Sequence, residues 1–599
     1  MPMKRNSLLL CLAWTSWTCT AGALDTWTVD HLEKLKADVL RFLPKDVAST
    51  DRLRALPLSS PPARQKKIDH VVVLYMENHA ADAFFGCMDL PGFDGIRGHA
   101  IPKDPTNLSK GQINITCGKA LYVCEKGPSY DTFAPKFGRD GRQNPNFYPY
   151  SQQDDNFSAW NGASENGTAV TMFGPEQIPV KSSLAREFGV FNRLFTATPT
   201  ASSPNHLFTQ SATSCGMTSN VLYPDCGGNG TYFPQPTIYD SLRLHNVSFS
   251  LFMNSTCGID GKPCHGEDPH DPDAGSAISS PDVAMIGVAR HKDRFMSQQI
   301  FYEQAANGTL PALSWILPPL QACDHPCHDI AKGERILKDV YEALRAGPSW
   351  NRTLFFVAYD DAGGFYDHVI PPHEGVPADG SSCIVPGAHP KCGHPFDFRR
   401  LGLRTTSMLI SPWVGKGVVF QEPRHGPFNT SQFELTSVPA TVKNLFNLSF
   451  FLTNRDAWAG SFEELLLETP RTDAPLHLPD APPPATPWTP PPPKSREKKG
   501  AHVRTAPLPI PQHCSSWHGE REFQCKGLSS ANLKQKRNIG MFASMLNVEA
   551  PDLTKLSSPQ ADRWLATHWR KWMSQTLDDV FSSFNHKVAS QEPLQNEFI

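Results

Sequence analysis

Residues 324–372, DHPCHDIAKGERILKDVYEALRAGPSWNRTLFFVAYDDAGGFYDHVIPP, join a helical pattern to a short apolar run and an acidic turn closed by glycines. Ile336, Leu337, Val340, Tyr341 and Leu344 recur at the spacing of one helix face. Residues 354–358 are continuously apolar, as a parallel strand covered on both faces must be. The run ends at Asp360 and Asp361, and Gly363-Gly364 permits a sharp turn just beyond them. Helix, buried strand and acidic strand end together predict an α/β fold, whose ligands sit outside the carboxyl ends of the strands. Two adjacent carboxylates there point to a metal or phosphoryl site, although Asp-rich turns also form on plain surfaces.

The same arrangement occurs earlier in the chain. In IDHVVVLYMENHAADAFFG (68–86), residues 71–75 read as a buried strand whose end delivers Glu77 and Asn78, with Asp82 one turn later. Carboxylate and amide oxygens gathered from several strand ends suit a hard divalent cation. A helix N-cap followed by an acid would leave the same local trace. In ASSPNHLFTQSATSCG (201–216), Ser202 and Ser203 precede Pro204-Asn205 and a helical stretch. They suit an ordinary N-cap, or a nucleophilic hydroxyl facing an oxyanion held by helix N–H groups. Further buried strands are expected in LPALSWILPPL (310–320) and over 407–410.

The chain has 599 residues, 56 Lys+Arg against 59 Asp+Glu, and a net charge of −3, with no clustered basic face for nucleic acid. The length admits one large catalytic domain with appendages. Residues 1–23 read as a secretory signal peptide ending at Ala21-Gly22-Ala23, and 24–66 as a lead-in with an amphipathic helix. A catalytic domain spans 67–480, a proline-rich spacer 481–505, and a helical tail 506–599. Beyond the leader no apolar run is long enough to cross a membrane. In the tail, Leu565, Trp569, Trp572 and Met573 share one stripe. That stripe reads first as a packing face and second as a membrane-surface contact.

Outside the leader, the cysteines form close pairs: 117/124, 215/226, 257/264, 323/327, 383/392 and 514/525, with Cys87 left over. Local disulfides are expected; zinc at Cys323/Cys327 has no matching second pair. N-x-S/T sequons recur, among them Asn107, Asn229, Asn351 and Asn447. Leader, cysteines and sequons together predict a disulfide-bonded glycoprotein of the secretory pathway, secreted or vacuolar.

These blocks resemble the phosphoesterase family of bacterial phospholipases C and acid phosphatases, above all its plant non-specific phospholipase C branch. IDHVVVLYMENHAADAFFG is similar to the family's ENRSFD-type block, and TPTASSPNHLFTQSATS to its nucleophile block. The opening stretch is similar to the HPSHD and DE-x-GG-x-YDH blocks, and the likeness extends over roughly 67–475. The resemblance implies an alkaline-phosphatase-like three-layer α/β/α sandwich and in-line attack on phosphorus. Carried over, it makes Ser202 the nucleophile, and Glu77, Asn78, Asp360 and Asp361 ligands of a divalent metal. His325, His328 and His368 become acid/base or phosphate-contacting groups, and Asn205, His206 and His79 contact substrate. Asp329 and Asp367 would orient their neighbouring histidines.

The chain departs from the family pattern at His79 and Ala80, at His206 where the family carries Arg, at Asp361 for Glu, and at Leu435 for the plant branch's His. Three uses are compatible with this pattern. One is a phospholipase C releasing diacylglycerol and a phosphorylated head group. The others are an acid-phosphatase-like monoesterase and a catalytically impaired glycoprotein that only binds.

Overall fold

The computed structural model describes residues 27–43, 67–102, 109, 111–124, 168–217, 233–253, 281–319, 322–379, 398–485, 539–540, 542–543, 546 and 548–575. The leader 1–23 and residues 486–505 of the spacer lie outside them, as do Cys226, Cys257, Cys264, Cys383, Cys392, Cys514 and Cys525.

Successive side chains of a strand point to opposite faces. In the strand His70–Met76 (β1), Val71, Val73 and Tyr75 enter one core, while Val72, Leu74 and Met76 enter another. The same split recurs in the neighbouring strand Thr353–Tyr359, which is the apolar run of the opening stretch. Numbered along the chain, the other strands of this sheet are Gly189–Phe191 (β2), Phe249–Met253 (β3), Phe295–Ser297 (β4) and Leu313–Leu317 (β5). Thr353–Tyr359 is β6, and Ser407–Ile410 (β7) and Val418–Phe420 (β8) complete the set. The eight strands lie in the order β8-β2-β7-β6-β1-β5-β3-β4. Only β7 runs antiparallel to its neighbours.

Helices cover both faces, giving the expected three-layer α/β/α sandwich. The first core packs Val29–Phe42 (α1), Ser202–Ser211 (α3), Ile238–Leu244 (α4) and Ser437–Leu445 (α7). The second packs Pro179–Glu187 (α2), Gln298–Asn307 (α5) and Ile330–Ala346 (α6). In α6 the buried stripe is Ile336, Leu337, Val340, Tyr341 and Leu344, as its periodicity predicts. The tail helix Ser558–Ser574 (α8) buries Leu565, Trp569 and Trp572 in the first core, with both Trp rings against Phe295 of β4. Its stripe is a packing face. Among the described residues no helix is long and apolar enough to cross a membrane.

Residues 87–180 are expected as surface loops, yet their described part holds a satellite core. Cys87, Ile96, Ile115 and Met172 are buried there with Phe365 and Tyr366. Disulfide connectivity accounts for part of this. Cys87 pairs with Cys117, and Cys124 with Cys327, in place of the close pairs 117/124 and 323/327. Cys323 is buried and is not part of a disulfide, whereas Cys215 is disulfide-bonded. The short strand Thr116–Cys117 pairs with Thr171–Met172 beside Cys87, so sheet pairing, rather than sequence proximity, selects the partner.

Candidate active site

The site is assembled by register. Strands β1 and β6 run parallel with Met76 opposite Tyr359, so Glu77-Asn78 and Asp360-Asp361 leave the same sheet rim side by side. Asn78 turns there with φ of 65°, and its N–H donates to Asp360 Oδ1 at 2.8 Å. Gly363, at φ +62°, lies so close that a Cβ would stand 2.0 Å from the Asn78 carbonyl oxygen. No other residue fits that approach. Gly363 N–H in turn donates to Asp361 Oδ1 at 2.6 Å.

Ser202 reaches this rim from the first residue of α3. Ala201 occupies the N-cap position and no side chain caps the helix, so Ser202 is not an N-cap. Its Oγ lies 3.1 Å from Asn78 Oδ1 and 3.0 Å from Asp361 Oδ2. Residues separated by more than a hundred positions thus meet around one hydroxyl, which is 4% exposed. Asn205 does not join them. Its amide donates to the carbonyls of Thr198, Thr200 and Ala201 and accepts from Thr198 N–H, so its hydrogen-bonding capacity holds the preceding turn rather than substrate.

His206 faces the carboxylates from behind. Its Nε2 is 3.4 Å from Asp360 Oδ2 and 4.0 Å from Glu77 Oε1, and its Nδ1 is 3.0 Å from Asp282 Oδ1. Burial alone would lower its pKa, but Asp282 and Asp360 overcome that and raise it to about 10. It is a buried cation within the site wall (1% exposed) rather than a group reaching open space. Asp282 has no motif around it in the sequence and only the fold shows its role.

His79 is buried beside the rim. Its ring is stacked between Phe84 and Phe365, with centroids at 4.5 and 4.3 Å. Burial drops its pKa to about 3, so it is a neutral ring. His325 lies at the rim, half-buried, with Nε2 3.9 Å from Glu77 Oε2. The His328 ring sits 6.1 Å from that of His325. Asp329 does not orient His328; it caps α6 through Ala331 N–H and accepts from Ala485 N–H. Leu435, at the position of the plant branch's His, is fully buried in the first core.

His368 belongs to a second cluster. Its Nδ1 is 2.7 Å from Asp82 Oδ2, and its Nε2 is 3.2 Å from Asp94 Oδ1. Asp82, not Asp367, therefore orients it. Asp367 is bound by the Arg404 guanidinium, whose Nη2 also donates to Asp82 at 2.9 Å. Asp82, Asp367 and His368 lie close enough together to hold a metal ion. The buried guanidinium and the His368 imidazolium, raised to about 9, together already balance both carboxylates, so this cluster acts as an ion-pair clamp. It ties the loop after β6 to the turn after β1. Arg404 stands just before the apolar run 407–410, and nothing local in the sequence marks it as the partner of Asp82 and Asp367.

The donor set expected for a divalent cation, Glu77, Asn78, Asp360 and Asp361, lies at the other cluster. All four offer oxygen donors, and all are buried. Burial, then the charge of Asp360, pushes Asp361 well above the ordinary carboxylate range. Both causes disfavour the charged form of a buried carboxyl group.

A buried ion pair network supports the histidine loop from below. Lys181 Nζ contacts Asp324 Oδ2 at 3.0 Å and Glu334 Oε1 at 3.1 Å, and Tyr359 OH donates to Asp324. From the loop, Cys323 O accepts from Glu77 N–H at 2.7 Å. The Cys124–Cys327 disulfide holds the other end across 203 residues of sequence. Replacing Cys124 with Ser is expected to lower stability by about 2–4 kcal/mol and to loosen the loop that carries His325 and His328. Calorimetry checks it; an unchanged melting midpoint would mean that the Lys181 network and the Glu77–Cys323 backbone bond hold the loop without the disulfide.

The description "Phosphoesterase family" matches residues 68–449. Non-specific phospholipase C6 of Arabidopsis thaliana is 36% identical over 70% of this chain and 76% of its own length. Non-specific phospholipase C1 of the same plant is 36% identical over 71% and 76%. A non-hemolytic phospholipase C of Burkholderia pseudomallei is 24% identical over 66% of this chain and 57% of its own. Among solved structures, a protein in the alkaline phosphatase superfamily from Vibrio parahaemolyticus is similar over 70% of this chain and 74% of that chain, at 10% identity and a TM-score of 0.29.

Proposed function

The chain belongs to the phosphoesterase family, as a hydrolase acting on phosphoric ester bonds, and we propose that it is a phospholipase C working through Ser202. One observation carries the reading: Ser202 Oγ stands within hydrogen-bond reach of Asn78 and Asp361, at the joint rim of β1 and β6. The names of the plant relatives supply the substrate class.

In the proposed reaction Ser202 Oγ attacks phosphorus in line, and the bond to the glycerol oxygen breaks. Asp361 and Asn78 aim the hydroxyl, and Asp361 stands where its proton leaves. The first-turn N–H groups of α3 face the phosphoryl oxygens. His325, on the open side, protonates the departing alkoxide, which leaves as diacylglycerol. Water then cleaves the phosphoserine ester, releasing the phosphorylated head group and restoring the hydroxyl. A divalent cation held by Glu77, Asn78, Asp360 and Asp361 would neutralise phosphoryl charge and lower the hydroxyl's pKa.

The proposal places the enzyme in the secretory pathway, at a lipid surface. The N-terminal leader and the sequons support this, and so do the two described disulfides, which fit an oxidising compartment.

The test is a panel of phosphoesters offered to metal-stripped protein, with divalent cations added back singly. Phosphatidylcholine is expected to yield diacylglycerol, and one cation is expected to restore at least about 10²-fold in rate. Turnover of a small aryl phosphate alone, indifferent to detergent, would move the assignment to a monoesterase. Background rates on every ester would leave a binding protein.

A further inference from the structure

Beside the catalytic rim lies a cavity of about 230 Å³. Three of its walls are continuations of the loops that build the site. His79 follows Asn78, Phe365 follows the Gly363-Gly364 turn, and His328 shares its loop with His325. The fourth wall comes from outside, where Tyr122 and Phe173 stand beside the Cys124–Cys327 disulfide. Phe173 is buried, whereas Leu121 at the edge is 59% exposed. Lys119, also exposed, lies on the same edge.

Resting on the phospholipase reading above, we infer that this cavity is the subsite for the alcohol side of the ester, taking the first methylenes of an acyl chain of the departing diacylglycerol. The cavity is smaller than the roughly 300–1,000 Å³ that encloses a whole drug-sized ligand, so it takes part of a substrate. Aromatic rings, aliphatic carbon and disulfide sulfur make up most of its walls, with the His79 and His328 rings and the Thr168 and Thr171 side chains among them, so an apolar occupant is favoured over most of the surface. An aromatic cage also suits a quaternary ammonium head group. Here, however, no carboxylate lines the cavity, and Lys119 at the edge repels a cation. The exposed Leu121 and Lys119 suit the boundary of a lipid surface, where hydrocarbon and phosphate meet.

Ala120, half-buried on the cavity wall, has its carbonyl occupied by the Gln177 amide, so a larger side chain there fills the cavity and leaves that bond intact. The substitution Ala120→Phe is expected to lower kcat/KM on long-chain phosphatidylcholine and phosphatidylglycerol alike by at least about tenfold, with turnover of an aryl phosphate within about twofold of wild type. Equal losses on all three esters, or a loss confined to phosphatidylcholine, would overturn the assignment, the latter by marking a head-group site. Calorimetric binding of dioctanoylglycerol gives a readout independent of catalysis. If wild type binds it and Ala120→Phe weakens it at least about tenfold, the subsite stands even where no phospholipid is cleaved and the phospholipase reading alone fails. Binding untouched by the substitution removes the subsite, whatever the activity.

Discussion

Ser202→Ala is expected to lower phosphoester hydrolysis by roughly 10³–10⁶-fold while leaving the melting temperature close to that of wild type. The loss is large because the substitution removes the hydroxyl held at this rim. Ser202 Oγ sits between Asn78 Oδ1 and Asp361 Oδ2, at 3.1 and 3.0 Å. Removing it deletes the attacking atom and leaves the oxygen cluster that would hold the cation. Affinity for the phosphoester therefore survives, and the deficit falls on kcat rather than KM.

Ser203 is the natural control. It is adjacent in sequence, fully buried, and one position further round the helix. Ser203→Ala is expected to change the rate only a few-fold, because a helix turns about 100° per residue and points the next side chain elsewhere. Near-normal turnover by Ser202→Ala, or parallel losses in the two variants, would remove the serine mechanism and leave family membership without it. The rate on phosphatidylcholine, measured beside the melting curves, decides.

The sequence revealed the parts of the site that depend on local pattern, and hid the parts that depend on the return of distant chain. An apolar run ending in Asp360-Asp361, and another ending in Glu77-Asn78, predicted two buried strands with loaded carboxyl ends. The parallel register of β1 and β6 then places those ends together. Periodicity alone found the buried face of α6. Asp282 and Arg404 escaped notice because each acts through a partner far away in the chain: His206 in one case, Asp82 and Asp367 in the other. Asn205 is the opposite case. Its motif position matches that of a substrate contact, but its amide is hydrogen-bonded to its own turn. The disulfides fail as a spacing argument because Cys124 and Cys327 are neighbours only once the sheet has formed.

Stability is expected to fall as pH rises from 6.5 towards 10 in the presence of a chelator, and His206→Gln is expected to remove much of that slope. His206 has its pKa raised from an ordinary 6.5 to about 10, since Asp282 and Asp360 outweigh the cost of burial. The folded protein therefore holds a proton that the unfolded chain gives up. The stabilisation is complete below pH 6.5 and is lost as pH climbs through about 10. A tenfold change in proton affinity is worth about 1.4 kcal/mol, so the whole span corresponds to roughly 4–5 kcal/mol as an upper bound.

His368, raised to about 9 because Asp82 outweighs its burial, acts in the same direction and supplies a smaller residual slope in the variant. His79 and His291 are lowered by burial to about 3 and about 4, so their stability changes fall below pH 6.5 and do not contaminate this window. Glutamine at position 206 keeps a polar contact to Asp282 but carries no charge. The variant should thus be less stable at pH 6.5, by an amount on the order of 3 kcal/mol, and should approach wild type near pH 10. Thermal unfolding across that range measures both limbs. A variant whose midpoint falls in parallel with wild type would show that the imidazolium among Asp282, Asp360 and Glu77 is not what the alkaline transition reports. The same ring would then sit as a neutral spacer behind the carboxylates, and their charge would have to be balanced by bound cation alone.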